Sequence, residues 1–126
     1  MAITYSISRE DRLINVFATG IIRADDLRGL ISSLLADPNL GPGLRGLYDA
    51  RYAEPDITIM QIAEVAGEVR QLQKRGLGRI AIVAQSQTTY RVAKTFSIIA
   101  RAIGIDVDVF TEVDPAQAWL DERVDS

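Results

Sequence analysis

The stretch that decides the fold is Arg79-Ile80-Ala81-Ile82-Val83-Ala84. It is almost continuously apolar, which is typical of a strand covered on both faces of a parallel sheet. Segments with helical periodicity lie on both sides of it, and this alternation favours a sheet whose parallel strands are linked by helices. The sequence therefore predicts an α/β fold with residues 79–84 in a central strand.

The N-terminal end predicts a β-hairpin. Residues 3–7 alternate apolar and polar side chains, and after a short polar turn residues 13–18 form a second strand that Gly20 is expected to close. Strands joined by so few residues pair antiparallel. A short third strand is predicted at residues 44–49, followed by a loop at residues 50–55.

Four amphipathic segments predict helices. Asp56 is the expected N-cap of the second helix and Ser86 that of the third, which should end at Gly104. Asp114 followed by Pro115 is the expected start of the fourth. The predicted inner faces are Leu27, Leu30, Ile31, Leu34 and Leu35 in the first helix, and Ile59, Ile62, Ala66, Val69 and Leu72 in the second.

With a fifth strand at Val107–Phe110, the predicted order is ββαβαβαβα. This is a single domain over residues 1–126 with a five-stranded, mostly parallel sheet and an antiparallel N-terminal hairpin. A chain of 126 residues fits one domain of ordinary size.

The composition limits the kinds of catalysis and binding that the chain can perform. The chain has no cysteine and no histidine, which excludes disulfides, thiolate nucleophiles and imidazole acid–base catalysis. We expect no cofactor and no metal. The net charge of −3 argues against a broad nucleic-acid surface.

No signal peptide or membrane span is predicted, so the expected location is the cytoplasm, and self-association is left open.

Several segments together resemble a known family. They are Gly20 leading into Asp25-Asp26-Leu27, the strand end Leu47-Tyr48-Asp49, residues 79–84 followed by Tyr90, and Val109-Phe110 followed by Ala118-Trp119-Leu120. The pattern resembles the STAS-like family named for the sporulation anti-anti-sigma factor, in its CRAL-TRIO-like bacterial branch.

The resemblance implies two kinds of binding. STAS domains dock anti-sigma kinases and are switched by phosphorylation of a serine, in an Asp-Ser pair, that begins the helix after the third strand. CRAL-TRIO domains hold lipophilic ligands in an apolar pocket. Here Asp56 is followed by Ile57 and Thr58, so Thr58 is the candidate position for such a switch, and the expected serine is missing.

The strand ends carry the candidate site. In open parallel sheets, ligands bind beyond the carboxyl ends of the strands. The candidate ligand- or partner-binding residues are Asp49, Arg51, Thr58, Ser86, Thr88 and Tyr90. A second candidate is a basic docking stripe on the third helix, formed by Arg91, Lys94 and Arg101 around Ile98.

These observations lead to a function hypothesis and an alternative. The chain is predicted to be a non-enzymatic regulatory or protein-docking module of the STAS-like type. The alternative is a small carrier or sensor of a lipophilic or anionic ligand bound at the carboxyl ends of the parallel strands. An enzyme ranks third, because only carboxylates, Lys, Tyr, Ser and Thr are available for chemistry.

Overall fold

The computed structural model describes residues 2–122, and the elements follow the predicted order. The strands are β1 (Ile3–Ser8), β2 (Leu13–Arg23), β3 (Arg45–Asp56), β4 (Ile80–Val83) and β5 (Val107–Phe110). The helices are α1 (Ala24–Ala36), α2 (Ile59–Lys74), α3 (Gln87–Ala102) and α4 (Val113–Asp121). Residue 1 and residues 123–126 of the predicted domain lie outside the described range.

The five strands form one sheet in the order β1-β2-β3-β4-β5. β1 pairs antiparallel with β2, and every later pair is parallel. The predicted mixed sheet with an antiparallel N-terminal hairpin is therefore confirmed. Because the sheet grows in one direction, crossovers of one hand place the first three helices on the same face.

That face holds the larger core. α1, α2 and α3 lie side by side on it, and the inward side chains of all five strands pack beneath them. Ala18 and Ala66 are fully buried there, and Ile14 is 2% exposed. The predicted inner face of α1 is confirmed, since Ile31 and Leu34 are buried in this cluster.

The opposite face is covered by α4, which packs on β4 with β3 and β5 on either side. Leu120 and Val83 are the centre of this smaller cluster. Two arginines hold the helix in place. Arg79 donates to the carbonyl of Trp119 at 2.8 Å and its guanidinium lies 4.5 Å from the centre of the Trp119 ring. Arg45 donates to the carbonyl of Leu120 at 2.7 Å.

The lengths predicted for the second and third strands are wrong. β2 continues past Gly20 to Arg23, and the segment predicted as a loop at residues 50–55 belongs to β3. The two strands pair in parallel from Leu13 to Arg23, with one irregularity between Phe17 and Thr19. Gly20 supplies a positive φ of 70° inside this ladder, which glycine adopts without strain, so it does not end the strand.

Two helix starts also differ from the prediction. The N-cap of α2 is Thr58, whose hydroxyl accepts from the backbone N–H of Gln61, while Asp56 is the last residue of β3. Ile59, predicted to be on the inner face, is 71% exposed because it begins the first turn. Helix α4 begins at Val113, so Asp114 lies inside its first turn. Ser86 is confirmed as the N-cap of α3, with Gly104 just after its C-cap.

Candidate functional site

The first two candidate residues form an ion pair. Asp49 and Arg51 are neighbours on β3, and Arg51 donates from Nε and Nη2 to the two carboxylate oxygens at 2.9 and 2.8 Å. Arg51 holds the pKa of Asp49 below its ordinary value, mainly through these hydrogen bonds. Both residues lie within the strand, but Asp49 is in register with Val83, the last residue of β4. The pair is therefore level with the carboxyl end of β4.

The start of α3 is tied to β3 by hydroxyl groups. Ser86 donates to the Thr89 hydroxyl at 2.7 Å, and Thr89 donates to the carbonyl of Ala53 at 2.9 Å. Thr89 is 5% exposed and is not among the residues predicted for the site. The sequence feature that could have identified Thr89 is its position three residues after the predicted N-cap Ser86. The Ser86 hydroxyl is therefore engaged in a structural contact.

The other strand-end candidates do not converge. Thr88 is exposed, whereas the Tyr90 ring is half-buried against the larger core. Thr58 is exposed at the start of α2, where its hydroxyl takes part in a capping box with Gln61. The six residues therefore form local pairs and caps, not one constellation.

The basic stripe on α3 is exposed along most of its length. Arg91, Lys94 and Ile98 face outward, and Ile98 is 68% exposed. Arg101 also supports the fold, because its Nε donates to the carbonyl of Val107 at 2.8 Å. Lys94 lies 5.9 Å from the centre of the Tyr90 ring.

An apolar surface that was not predicted from the sequence extends beyond the end of β4 on the α4 side of the sheet. On β2, Phe17, Thr19 and Ile21 are every second residue and point to the α4 side of the sheet, whereas Ala18 and Ile22 are buried on the other side. The Tyr52 ring on β3 lies 6.0 Å from that of Phe17, centre to centre. Exposed fractions are 41% for Phe17, 51% for Ile21 and 59% for Tyr52. We call Phe17, Thr19, Ile21 and Tyr52 the open face.

A cavity of about 160 Å³ lies on the other side of the sheet, between the strands and α1–α3. Leu27, Val65 and Phe96 are among its lining residues, and Tyr48 is the one lining residue with a hydrogen-bonding side chain. Burial raises the pKa of Tyr48 well above its ordinary value, and the negative charge of Asp26 adds to the effect.

The residues between 2 and 122 offer no metal centre. No group of three or more carboxylates in that range is placed to hold an ion. Within the same range, no helix is long and apolar enough to cross a membrane.

Comparison with known proteins places these features in a family. A family model described as SpoIIAA-like matches residues 13–121. An uncharacterised protein of the DUF3478 family from Shewanella loihica PV-4, described as having a SpoIIAA-like fold, superposes with a TM-score of 0.63 at 16% identity. The alignment covers 94% of each chain, and at this identity it shows a shared fold.

Two curated sequences from Ralstonia also match over part of the chain. The error-prone DNA polymerases of Ralstonia nicotianae and Ralstonia pickettii are 38% and 36% identical to it over 81 residues. The matched region is 63% of this chain but 7% of each polymerase. The similarity therefore concerns a small part of a much longer protein.

Proposed function

The chain belongs to the SpoIIAA-like family, and from that premise we propose that it is a non-enzymatic protein-docking module with a regulatory role. The observation that carries the proposal is the open face. Parallel sheets are normally covered on both faces, yet Phe17, Ile21 and Tyr52 are exposed on the α4 side of the sheet, where β2 and β3 continue beyond β4. Large exposed apolar side chains that cluster on one surface mark interaction sites.

The similarity to the polymerases is compatible with this proposal. Their matched region is 7% of their length, as would be expected of a module added to a larger protein. The polymerase activity of those proteins is not proposed for this chain.

Site-specific photo-crosslinking tests the docking proposal. A photoreactive amino acid replaces Thr19 on the open face, Thr88 at the start of α3, or Lys94 on the basic stripe, one position at a time. We expect a covalent adduct with another protein from at least one position in the cells that make this chain. Mass spectrometry identifies the adduct, and the pair is then reconstituted from purified proteins.

The three positions separate the outcomes. A reconstituted pair with a Kd of about 10 µM or tighter supports docking, since weaker binding is hard to distinguish from non-specific association. No adduct from any of the three positions, with all three variants folded, would contradict the docking proposal.

A second function is supported by a different observation, the apolar cavity. A cavity of similar volume lined by aliphatic side chains stays dry and binds molecules of the size of benzene. We therefore also propose a carrier or sensor of a small apolar ligand, seated between the sheet and α1–α3. Tyr90, near which the strand-end prediction placed the ligand, does not line this cavity.

Native mass spectrometry of the protein as purified from its own cells tests the carrier proposal. A bound mass that disappears on denaturation, and that Val65→Phe abolishes by filling the cavity, would support it. Addition of benzene should raise the Tm of the wild type but not of the filled variant. An unchanged wild-type Tm at saturating benzene would argue against ligand access to the cavity.

A further inference from the structure

One polar side chain lies in the lining of the apolar cavity. Of the described residues that line it, Tyr48 on β3 is the one whose side chain can form a hydrogen bond. Tyr48 is in register with Val16 on β2 and with Ile82 on β4, and both of these also line the cavity. The tyrosine side chain therefore stands between two apolar neighbours on the face of the sheet that α1–α3 cover.

The Tyr48 hydroxyl has no hydrogen-bond partner in the described part of the chain. By contrast, the buried hydroxyls of Thr89 and Ser97 donate to backbone carbonyls at 2.9 and 2.8 Å. The half-buried Tyr5 donates to the carboxylate of Asp37 at 2.8 Å. A hydroxyl that is withdrawn from bulk water without a partner costs free energy, which a bound hydrogen-bond acceptor would recover.

The charges around the cavity disfavour an anionic ligand. None of the described lining residues is cationic. Burial, and then the negative charge of Asp26, raise the pKa of Tyr48, so the phenol stays protonated and the local field is negative. Arg28 on α1 already pairs with three carboxylates, those of Asp25, Glu64 and Glu68. An ionised ligand would therefore lose its water without gaining a free cation.

We propose that this cavity selects a small neutral molecule, mostly apolar, with one hydrogen-bond acceptor such as a carbonyl oxygen, to which the Tyr48 hydroxyl donates. The apolar lining contacts the rest of the molecule, and Tyr48 distinguishes it from a hydrocarbon of the same shape. This inference rests on the proposed carrier or sensor function and narrows its ligand to neutral molecules.

Two probes of nearly the same shape test the hydrogen bond. Cyclohexanone and methylenecyclohexane differ only in a carbonyl oxygen that replaces a terminal methylene, and their rings are close in size to benzene. The Kd of each is measured by NMR chemical-shift titration of the wild type and of Tyr48→Phe, which removes only the hydroxyl. Because the carbonyl loses water on entering either protein, the quantity compared is the ratio of the ketone Kd to the hydrocarbon Kd.

Tyr48→Phe should raise that ratio by about three- to tenfold, as expected for loss of one neutral hydrogen bond. The Kd of methylenecyclohexane itself should change by less than about twofold. Tyr52→Phe is the matched control, because it removes a hydroxyl from an exposed tyrosine that does not line the cavity, and it should leave the ratio unchanged. Cyclopentanecarboxylate, an anion of similar size, should bind at least about tenfold more weakly than cyclohexanone at neutral pH.

A second measurement needs only the wild type. Hydrogen bonding lowers the stretching frequency of a ketone carbonyl, so the infrared band of cyclohexanone bound at saturating protein should lie below its position in hexane. Circular dichroism establishes that Tyr48→Phe and Tyr52→Phe are folded.

Several results would overturn the inference. They are an unchanged ratio in Tyr48→Phe, an equal rise of the ratio in Tyr52→Phe, and a bound carbonyl band at the position found in hexane. Binding of cyclopentanecarboxylate as tight as that of cyclohexanone would overturn the assignment to neutral ligands.

The hydrocarbon probe separates this inference from the carrier function. If methylenecyclohexane binds, Val65→Phe abolishes that binding, and the Tyr48 hydroxyl makes no difference to the ratio, the carrier function stands and the inference fails. If neither cyclohexanone nor methylenecyclohexane binds the wild type at the limit of its solubility, the carrier function fails and the inference fails with it.

Discussion

The two faces of the sheet are built differently. On one, α1, α2 and α3 lie side by side over the strands, and the space between them includes a cavity of about 160 Å³. On the other, α4 alone covers β3–β5, and the packing beneath it leaves Val83 fully buried and Leu120 1% exposed. On that face β2 is buried at Leu13 but exposed at Phe17 and Ile21. The fully covered face thus contains a cavity, while the half-covered face buries its side chains completely where α4 lies over it.

The contrast between the two faces shows that the exposed side chains on β2 do not result from generally poor packing on their face. The same face excludes water a few strands away, at Val83. Exposure of Phe17 and Tyr52 is therefore a local property of the open face, distinct from the covered part around Val83.

The largest expected effect is that of Leu120→Ala. This substitution should lower the free energy of unfolding by about 2–5 kcal/mol, because it leaves a cavity at the centre of the α4 cluster. Urea denaturation measures it. Tyr52→Ala, on the open half of the same face, should cost less than about 0.5 kcal/mol. Equal costs at the two positions would mean that the face is uniform.

The next prediction compares one substitution on both faces. Val83→Ile should destabilise the protein by about 1–3 kcal/mol, because a methylene added at this fully buried position must displace the side chains around it. Val65→Ile, which adds the same group beside the cavity, should stabilise by about 0.5–1 kcal/mol. Thermal and urea unfolding give both values. Destabilisation by both would show that the cavity cannot take the added group.

Removing the arginine that holds α4 should have a smaller effect. Arg79→Met keeps the apolar part of the side chain but loses the hydrogen bond to the Trp119 carbonyl, the contact with its ring and the ion pair with Asp106 at 3.0 Å. We expect a loss of about 1–2 kcal/mol in urea unfolding. Arg91→Met, at an exposed position on α3, is the control and should be close to neutral. A neutral Arg79 variant would show that this arginine does not help to hold α4.

The smallest expected effect concerns the Asp49–Arg51 pair between the covered and open parts. Arg51 lowers the folded-state pKa of Asp49 below the unfolded value of 3.8. The pair therefore contributes stability above about pH 4, and this is lost as the pH falls through the folded-state pKa.

Asp49→Asn should consequently cost about 1 kcal/mol or less at pH 7, and the difference from the wild type should shrink as the pH falls below 4. Urea unfolding at a series of pH values measures it. A difference that is constant from pH 7 to pH 2.5 would assign the effect to packing and not to the charge.

Much of the fold follows from local patterns. The continuous apolar run at residues 79–84 predicted the buried central strand, and β5 begins and ends at the predicted residues, Val107–Phe110. The Ser86 cap was also predicted. These elements are short, and their burial or capping is determined by residues close to them in the sequence.

The longer strands could not be predicted in the same way. β2 and β3 extend because they pair with each other from Thr19 to Arg23, and that pairing is a property of two distant segments. Gly20 looked like a strand end because its conformational freedom is usually used in turns. The start of α2 was misplaced because Asp56 and Thr58 are both good caps, and pairing with Arg23 decides between them.

The candidate site was predicted in part. Asp49 and Arg51 were named, but their mutual ion pair depends on the course of β3, which the predicted loop at residues 50–55 obscured. The open face was missed for the same reason. The cavity has no sequence signal, since the hydrophobic pattern records which side chains are inside and not how completely they fill the space.

The strand order has a consequence for how the chain acquires its structure. From β1 to β5, each strand pairs with the one synthesised just before it. Each parallel pair nevertheless joins strands separated by a whole helix, so contacts between distant parts of the sequence predominate and pairing is expected to be slow. As the chain leaves the ribosome, the pairing partner of each new strand has already been synthesised, so the sheet can assemble during translation. α4, which closes the smaller core, is the last of the helices in residues 2–122 to emerge, and its docking would complete that core.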